Sequence, residues 1–284
     1  MPEISVVVVT CNSGKYITAC LDSLVSQTYK DFETIIVDNG SGDSTVRLIK
    51  EDFPFFNLIE NSENAGACRA RNQGIEKSKG SWILTLDCDV ILAPDFLAGL
   101  TDHARHAVRD IGAFQPKIYH SGSRIIFSFG IDLSPWIRFH DRGRGRSDTG
   151  QFNDVTDIFG ACSAAAFYRK DALETIKEEN GFFDERFFFL VEDVDVALRM
   201  GKKGWKTVFI PEVVCYHAGN SSGMNMQKRR FLCWRNRKLL IAKNRIRKPP
   251  FVLLYDIPRF IWLACTNHFF REYYFDGARE PRAR

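Results

Sequence analysis

Four polar clusters interrupt apolar runs of this 284-residue chain, and each holds side chains able to do chemistry. Asp87 and Asp89 stand two apart, directly after the run SWILTLD. In an extended chain, residues i and i+2 point to the same side, so both carboxylates can reach one ion. Hard oxygen ligands suit Mg2+ or Mn2+, with diphosphate oxygens completing the shell. Without a cation the two acids would repel each other. The plainer reading is a pair of turn acids, Asp89 capping the next helix. Glu192-Asp193-Val194-Asp195 follows the apolar FFFLV. Acids there suit the positive end of a helix dipole. A carboxylate beside a partly dry apolar wall also gains a raised pKa and can act as a general base. The third cluster, DNGSGD from Asp38 to Asp43, has the glycines and short polar side chains of a tight turn, whether or not it binds anything. The fourth, His217, leaves the run VVCY and is either a structural histidine or a ligand.

The elements that must position these groups are legible in the apolar pattern. Ile4–Thr10, Glu33–Asp38, Phe56–Glu60 and Ser81–Asp87 read as strands. The first is β-branched and continuous, as in a strand buried on both faces. Helical spacing links Ile17, Cys20, Leu21, Leu24 and Val25, with Asn12 or Ser13 as the expected cap. Ser44 is expected to cap TVRLIKEDF, Ala65–Ser78 to form a helix stopped by Gly80, and Pro94 to start another. Strands alternating with helices imply an α/β fold with a mostly parallel sheet, whose ligands gather at the carboxyl ends of the strands. No G-x-G-x-x-G opens a helix after the first strand, so a dinucleotide site is not expected.

The second half is less regular. Residues 112–135 read as β segments, and the Arg- and Gly-rich 138–150 as a mobile loop, solvated or touching a phosphate or acceptor. Helices are expected near 170–179 and 193–203, and short strands at Trp205–Ile210 and Val213–Tyr216. From Asn225 the chain reads as helical, basic and aromatic.

The composition, 45% hydrophobic and 26% charged, excludes wholesale disorder. None of the eight cysteines forms a C-x-x-C pair, so buried free thiols are expected rather than zinc or a disulfide framework. The net charge of +4 hides an asymmetry: residues 228–284 hold 15 Lys/Arg against 4 Asp/Glu, a net +11, leaving −7 for the rest. Such a split points to a nucleic-acid or membrane-surface contact made by one segment. The uncharged stretch 260–270 is too short to span a bilayer, and the N-terminus lacks a basic signal region, so a cytoplasmic location is expected.

Taken together, these features resemble the family-2 glycosyltransferases, nucleotide-sugar enzymes of the GT-A fold. Three stretches carry the resemblance: VVVVTCNSGKYITACLDSLVSQTYKDFETIIVDNGSGD, ENAGACRARNQGIEKSKGSWILTLDCD followed by PDF, and GFFDERFFFLVEDVDVALRMGKKGWKTVFIPEVVCYHAGNSS. The likeness covers roughly residues 3–240 and is strongest to the bacterial rhamnosyltransferase-like branch, which builds cell-surface polysaccharide. Many members of that branch have Asn-Pro-Asp where this chain has Asp87-Cys88-Asp89, which puts a rhamnosyl donor in doubt.

The resemblance implies a GT-A catalytic domain over 1–225, with a nucleotide-binding half at 1–110 and an acceptor half at 111–225, and a helical appendage at 226–284. It implies donor binding by Thr10, Asn12, Asp38, Asn39, Arg71, Asp87 and Asp89. Mn2+ or Mg2+ would be held by Asp89, His217 and Asp87. Asp193 would be the catalytic base, with Glu192 in support, and single displacement would invert the anomeric centre. The donor would be a UDP-, dTDP- or GDP-sugar and the acceptor a saccharide or a lipid-linked hydroxyl.

Basic residues from Arg235 to Lys248, next to the apolar stretch after Pro250, suit a helix in the membrane interface across 235–270, at the inner face of the cell membrane. Packing on the body or on a second copy is the competing reading, and a homo-oligomer is compatible with it. A sugar nucleotidyltransferase would need a Gly-rich phosphate loop with a basic residue after the first strand, where this chain has TCNSGKY. A catalytically silent nucleotide-sugar binder is disfavoured by intact Asp87, Asp89 and Asp193. Nucleic-acid binding is disfavoured by the acidic body and the lack of a reading motif.

Overall fold

The computed structural model describes residues 2–219 and 223–275. The Asn220-Ser221-Ser222 end of the third motif stretch and residues 276–284 of the basic tail lie outside the described residues. The first half alternates: β1 (Ile4–Thr10), α1 (Ile17–Val25), β2 (Phe32–Asn39), α2 (Thr45–Asp52), β3 (Asn57–Asn61), α3 (Ala67–Lys77) and β4 (Trp82–Asp87). The short β5 (Val90–Leu92) and α4 (Phe96–His106) follow. Next come β6 (Ile111–His120), β7 (Ile126–Ser128), β8 (Ile131–Leu133), β9 (Phe139–Asp141), β10 (Asp157–Ile158) and β11 (Ala165–Arg169). Then come α5 (Lys170–Ile176), α6 (Glu192–Lys202) and β12 (Lys206–His217), and last α7 (Met226–Lys243), α8 (Leu253–Thr266) and α9 (His268–Tyr274).

The main sheet runs β10-β12-β6-β11-β4-β1-β2-β3. β3, β2, β1 and β4 are parallel. β11 runs against both β4 and β6, and β6 is parallel to β12. The carboxyl ends of β3, β2, β1, β4, β6 and β12 therefore share one rim. In register, Thr10 faces Asp38 and Val9 faces Asp87, which brings two of the polar clusters side by side.

The core explains why these strands form. Along β1, Ile4, Val6 and Val8 enter a cluster with Ile17, Leu21 and Leu24 of α1, whereas Val7 enters the opposite cluster with Cys68 and Ile75 of α3. Period-2 alternation thus feeds two cores, one on each face, and the run must be apolar throughout. Each fully buried Val or Ile contributes about 1.5–3 kcal/mol, so the rim rests on a stiff base.

Several local expectations are corrected. Neither Asn12 nor Ser13 caps α1 with its side chain; the helix starts after Tyr16, whose N–H reaches the Ser13 carbonyl. At α2 the Ser44 side chain makes no cap bond, and Asp43 instead accepts from the Thr45 N–H. α3 ends at Lys77, before Gly80, and α4 begins at Phe96, two residues beyond Pro94. The two strands expected at 205–216 are one strand, β12, which passes Pro211 with a register shift between Ile210 and Val214. The 138–150 segment is not simply a loop: Phe139–Asp141 pairs with β8 in a two-stranded ribbon.

The basic tail also differs from expectation. Arg235 and Arg237 are buried, not turned toward a surface. Arg237 donates to the Ile137 carbonyl and to Asp256, and Lys243 pairs with Asp184, Asp195 and Glu178. Arg245, Arg247 and Lys248 remain exposed. Among the described residues no helix is long and apolar enough to cross a membrane.

Candidate active site

A cleft of about 1730 Å3 opens over the rim. That exceeds the roughly 300–1,000 Å3 needed for one small ligand and leaves room for a second substrate. On one side lie the β1 and β2 loops. Asn12, in a left-handed conformation (φ 52°), accepts from the Gly42 N–H at 2.8 Å, while its own N–H donates to Ser41 Oγ at 2.8 Å. Asn39 is locked in an amide network: its Nδ2 donates to Asn64, and its Oδ1 accepts from Asn61 and from the Ala65 N–H. Thr10, Asn12 and Asn39 line the cleft. Asp38 lies behind its wall, buried, both carboxylate oxygens accepting from Ser41. It shapes the 38–43 turn.

Asp87 ends β4 and Asp89 sits in the turn before β5, so the extended geometry expected for the pair gives way to a turn. They still converge because antiparallel pairing of β5 with β12 brings His217 opposite Val90. Among the described residues, Asp87, Asp89 and His217 form a group able to hold a metal, their ligand atoms within 4.8 Å of one another. The His217 ring stacks on Phe127 with centroids 4.0 Å apart, and the Gly219 N–H donates to Nδ1. Both contacts fix the ring's orientation. Two carboxylates and an imidazole are a donor set that fits Mn2+ or Mg2+ and leaves positions for other oxygen ligands.

Arg71, on α3, lines the cleft. It is buried, with Nη1 2.6 Å from Glu192 and Nη2 2.8 Å from Asp87. The guanidinium therefore braces the first acid of α6 against the strand-end acid. Burial pushes the Asp87 carboxyl up, but Arg71 and His217 outweigh it and hold the pKa below the ordinary value.

Asp193 stands in the first turn of α6, half-buried and lining the cleft. Its pKa is pushed well above the ordinary carboxylate range, by burial first and then by the charges of Glu192 and Asp141. Arg71 and the Val194 N–H offset only part of this. A carboxylate that keeps its proton near neutrality can exchange it with an oxygen in the cleft.

The sequence reading singled out no residue of the far wall, though it allowed the 138–150 segment a phosphate or acceptor contact. Asp141 of β9, with Arg144 on its carboxylate at 2.6 Å, lines the cleft beside Asp193. Lys228 and Arg229 of α7 and Phe269 and Glu272 of α9 complete it. The Arg- and Gly-rich composition of 138–150 was the one signal available for Arg144. That signal covered Asp141 as well, and the basic, aromatic composition from Asn225 on covered Lys228, Arg229 and Phe269.

The Glycosyl transferase family 2 model matches residues 5–177. The chain is 26% identical over 246 residues to the N-acetylglucosaminyl-diphospho-decaprenol L-rhamnosyltransferase of Mycobacterium tuberculosis, covering 77% of each chain. It is 34% identical over 200 residues to Glycosyltransferase GlyA of Streptococcus pneumoniae, covering 68% of this chain and 29% of that one. Its fold is similar to a mannosyltransferase from Pyrobaculum calidifontis solved with GDP-Man and Mn2+, with a TM-score of 0.61 at 20% identity, covering 94% of this chain and 76% of that one. With the acid pairs, the parallel rim and these likenesses in agreement, the chain belongs to glycosyl transferase family 2 and is a glycosyltransferase of the GT-A fold.

Proposed function

We propose that the enzyme transfers a sugar from a UDP-, dTDP- or GDP-sugar to a hydroxyl acceptor with inversion, using Asp193 as its base and a divalent cation. The observation that carries this reading is one half-buried acid of raised pKa facing an acid–acid–imidazole group across a single cleft. Residues 1–110 form the donor side, with Thr10, Asn12 and Asn39 on the nucleoside, and residues 111–225 the acceptor side. Asp89, His217 and Asp87 would hold Mn2+ or Mg2+, and the cation would supply positive charge against the departing diphosphate. Asp193 accepts the proton of the acceptor hydroxyl. That oxygen bonds to the anomeric carbon from the face opposite the leaving group, the bond from that carbon to the diphosphate oxygen breaks, and the nucleoside diphosphate leaves. Arg71 bridges Glu192 and Asp87 and holds the Asp87 carboxyl below its ordinary pKa.

The acceptor fits a lipid-linked saccharide of cell-surface synthesis, at the inner face of the cell membrane. One relative's name includes a decaprenol-linked substrate. α8 supplies a matching surface, because Leu254, Ile257 and Ile261 are 72%, 55% and 56% exposed on one face. Arg230 and Arg259 both lie over the Trp262 ring beside them. Apolar side chains ringed by cations suit an anionic bilayer. The opposite face is anchored, with Asp256 held by Arg237 and Lys238 of α7. In this reading, contact across 235–270 is made by α8, while α7 belongs to the body.

The test is nucleoside-diphosphate release across a panel of UDP-, dTDP- and GDP-sugars with Mn2+, Mg2+ or chelator. Release from one donor that chelator abolishes is expected. Undiminished release in chelator would exclude the metal assignment. Neither release nor donor-induced thermal stabilisation with any donor would overturn the nucleotide-sugar reading.

A further inference from the structure

We propose that Asn236, in the middle of α7, is a positioning residue for Asp193, acting through a left-handed loop that it holds. The proposal rests on the base reading of Asp193. Before α6 the backbone takes positive φ at Phe188 (63°), Leu190 (71°) and Val191 (75°), and Val191 is the residue from which α6 starts. None is glycine, and Val191 is β-branched, for which this region is a true outlier. Such residues each cost about 1–3 kcal/mol and persist only where the surroundings over-determine them.

The surroundings here come from α7. Asn236 is fully buried, and its Nδ2 lies 2.9, 2.8 and 2.6 Å from the carbonyl oxygens of Phe187, Phe189 and Leu190. Its Oδ1 accepts from Arg235 Nε, and Arg235 Nη2 donates to the carbonyls of Arg186 and Phe187. From the other side the Cys68 N–H donates to the Phe188 carbonyl. Gly66 (φ 92°) lies so near that a Cβ there would sit 2.6 Å from the Phe188 ring. α7 holds the next turn too, since Lys243 and Asn244 both donate to Asp195. The loop that aims Glu192 and Asp193 is thus pinned between α3 and a residue more than forty positions later in the chain. An amide suits the place because three carbonyls converge on its donors. A carboxylate of the same shape would present them with acceptors.

Asn236→Asp and Asn236→Ala would be measured for nucleoside-diphosphate release from the donor that the wild-type enzyme turns over. Expected is a loss in kcat of roughly 10–10²-fold, the scale of an ångström-level misplacement, with donor KM within about threefold. The acid limb of the pH profile should also move down, as Asp193 becomes less buried and moves away from Asp141. Leu190→Gly, which takes a positive φ without strain, should recover part of kcat when added to Asn236→Asp. The double variant also serves if the single one fails to fold. A folded Asn236→Asp with wild-type kcat and pH profile, beside an inactive Asp193→Asn, would overturn the positioning role alone. Wild-type turnover by Asp193→Asn would overturn the base assignment and this proposal with it.

Discussion

The two walls of the cleft are built differently. The wall that the proposed function assigns to the donor is a row of strand ends, where β1, β2 and β4 lie in register and place Thr10 and Asp87, with Asp38 behind them. The opposite wall hangs Asp193 on a loop with three non-glycine residues at positive φ, held by the Cys68 backbone N–H of α3 and the Asn236 side chain of α7. Strand ends and strand pairing suffice to gather Asp87, Asp89 and His217 into a group able to hold a metal. Raising one acid's pKa takes an apolar, long-range enclosure, and here that enclosure is assembled from segments far apart in sequence.

The largest expected effect falls on the donor wall. Asp89→Ala, like chelation, should lower turnover by ~10²-fold or more, the scale of several kcal/mol of lost charge stabilisation. Donor affinity measured by calorimetry should fall with it. An unchanged affinity would dissociate the metal group from the donor site. Next comes the brace between the walls. Arg71→Ala leaves Glu192 buried without its cation, and removing one partner of a buried pair costs about 3–5 kcal/mol. Urea unfolding checks this, and a loss below about 1 kcal/mol would show that the walls are not braced through Arg71. A milder change lies outside both walls. Leu254→Ser, Ile257→Ser and Ile261→Ser together should weaken binding to phosphatidylglycerol-containing vesicles about tenfold or more, without lowering Tm, because these side chains are exposed. Unchanged vesicle binding would remove the membrane role from α8.

The smallest effect is a sign test. Folded Asp193 keeps its proton at pH values where the unfolded chain has lost it, so its contribution to stability is lost as pH rises from the unfolded toward the folded pKa. Asp193→Asn should therefore raise Tm at pH 8–9 by ~2–4 °C, the shift that about 1 kcal/mol makes in a chain of this size. A lower Tm there would mean that the ionised acid is stabilised in the fold.

The difference between the walls also decided what could be read from sequence. β1 to β4 were legible because continuous β-branched runs have few other uses, and Asp87, Asp89 and Asp193 because acids at the ends of apolar runs are conspicuous. The approach of His217 to Asp87 and Asp89 depends on β5 pairing with β12, which no local pattern reports. Pro211 made one strand look like two, since its ring interrupts pairing where the register shifts. The basic stretch of α7 suggested a surface. Charge alone does not say which way a side chain faces, and Arg235 and Arg237 turn inward to carbonyls and Asp256. The support of Asp193 by Asn236 was invisible for the same reason: it is a contact between distant segments.

The most direct measurement takes donor affinity and turnover of Asp193→Asn on the same sample, with the donor and cation that the wild type uses. Expected is a donor Kd within a few-fold of wild type and a turnover lower by on the order of 10²–10⁴, the scale of a lost general base. Near-normal turnover, or a donor Kd that collapses together with the rate, would contradict the assignment of donor binding to one wall and proton transfer to the other.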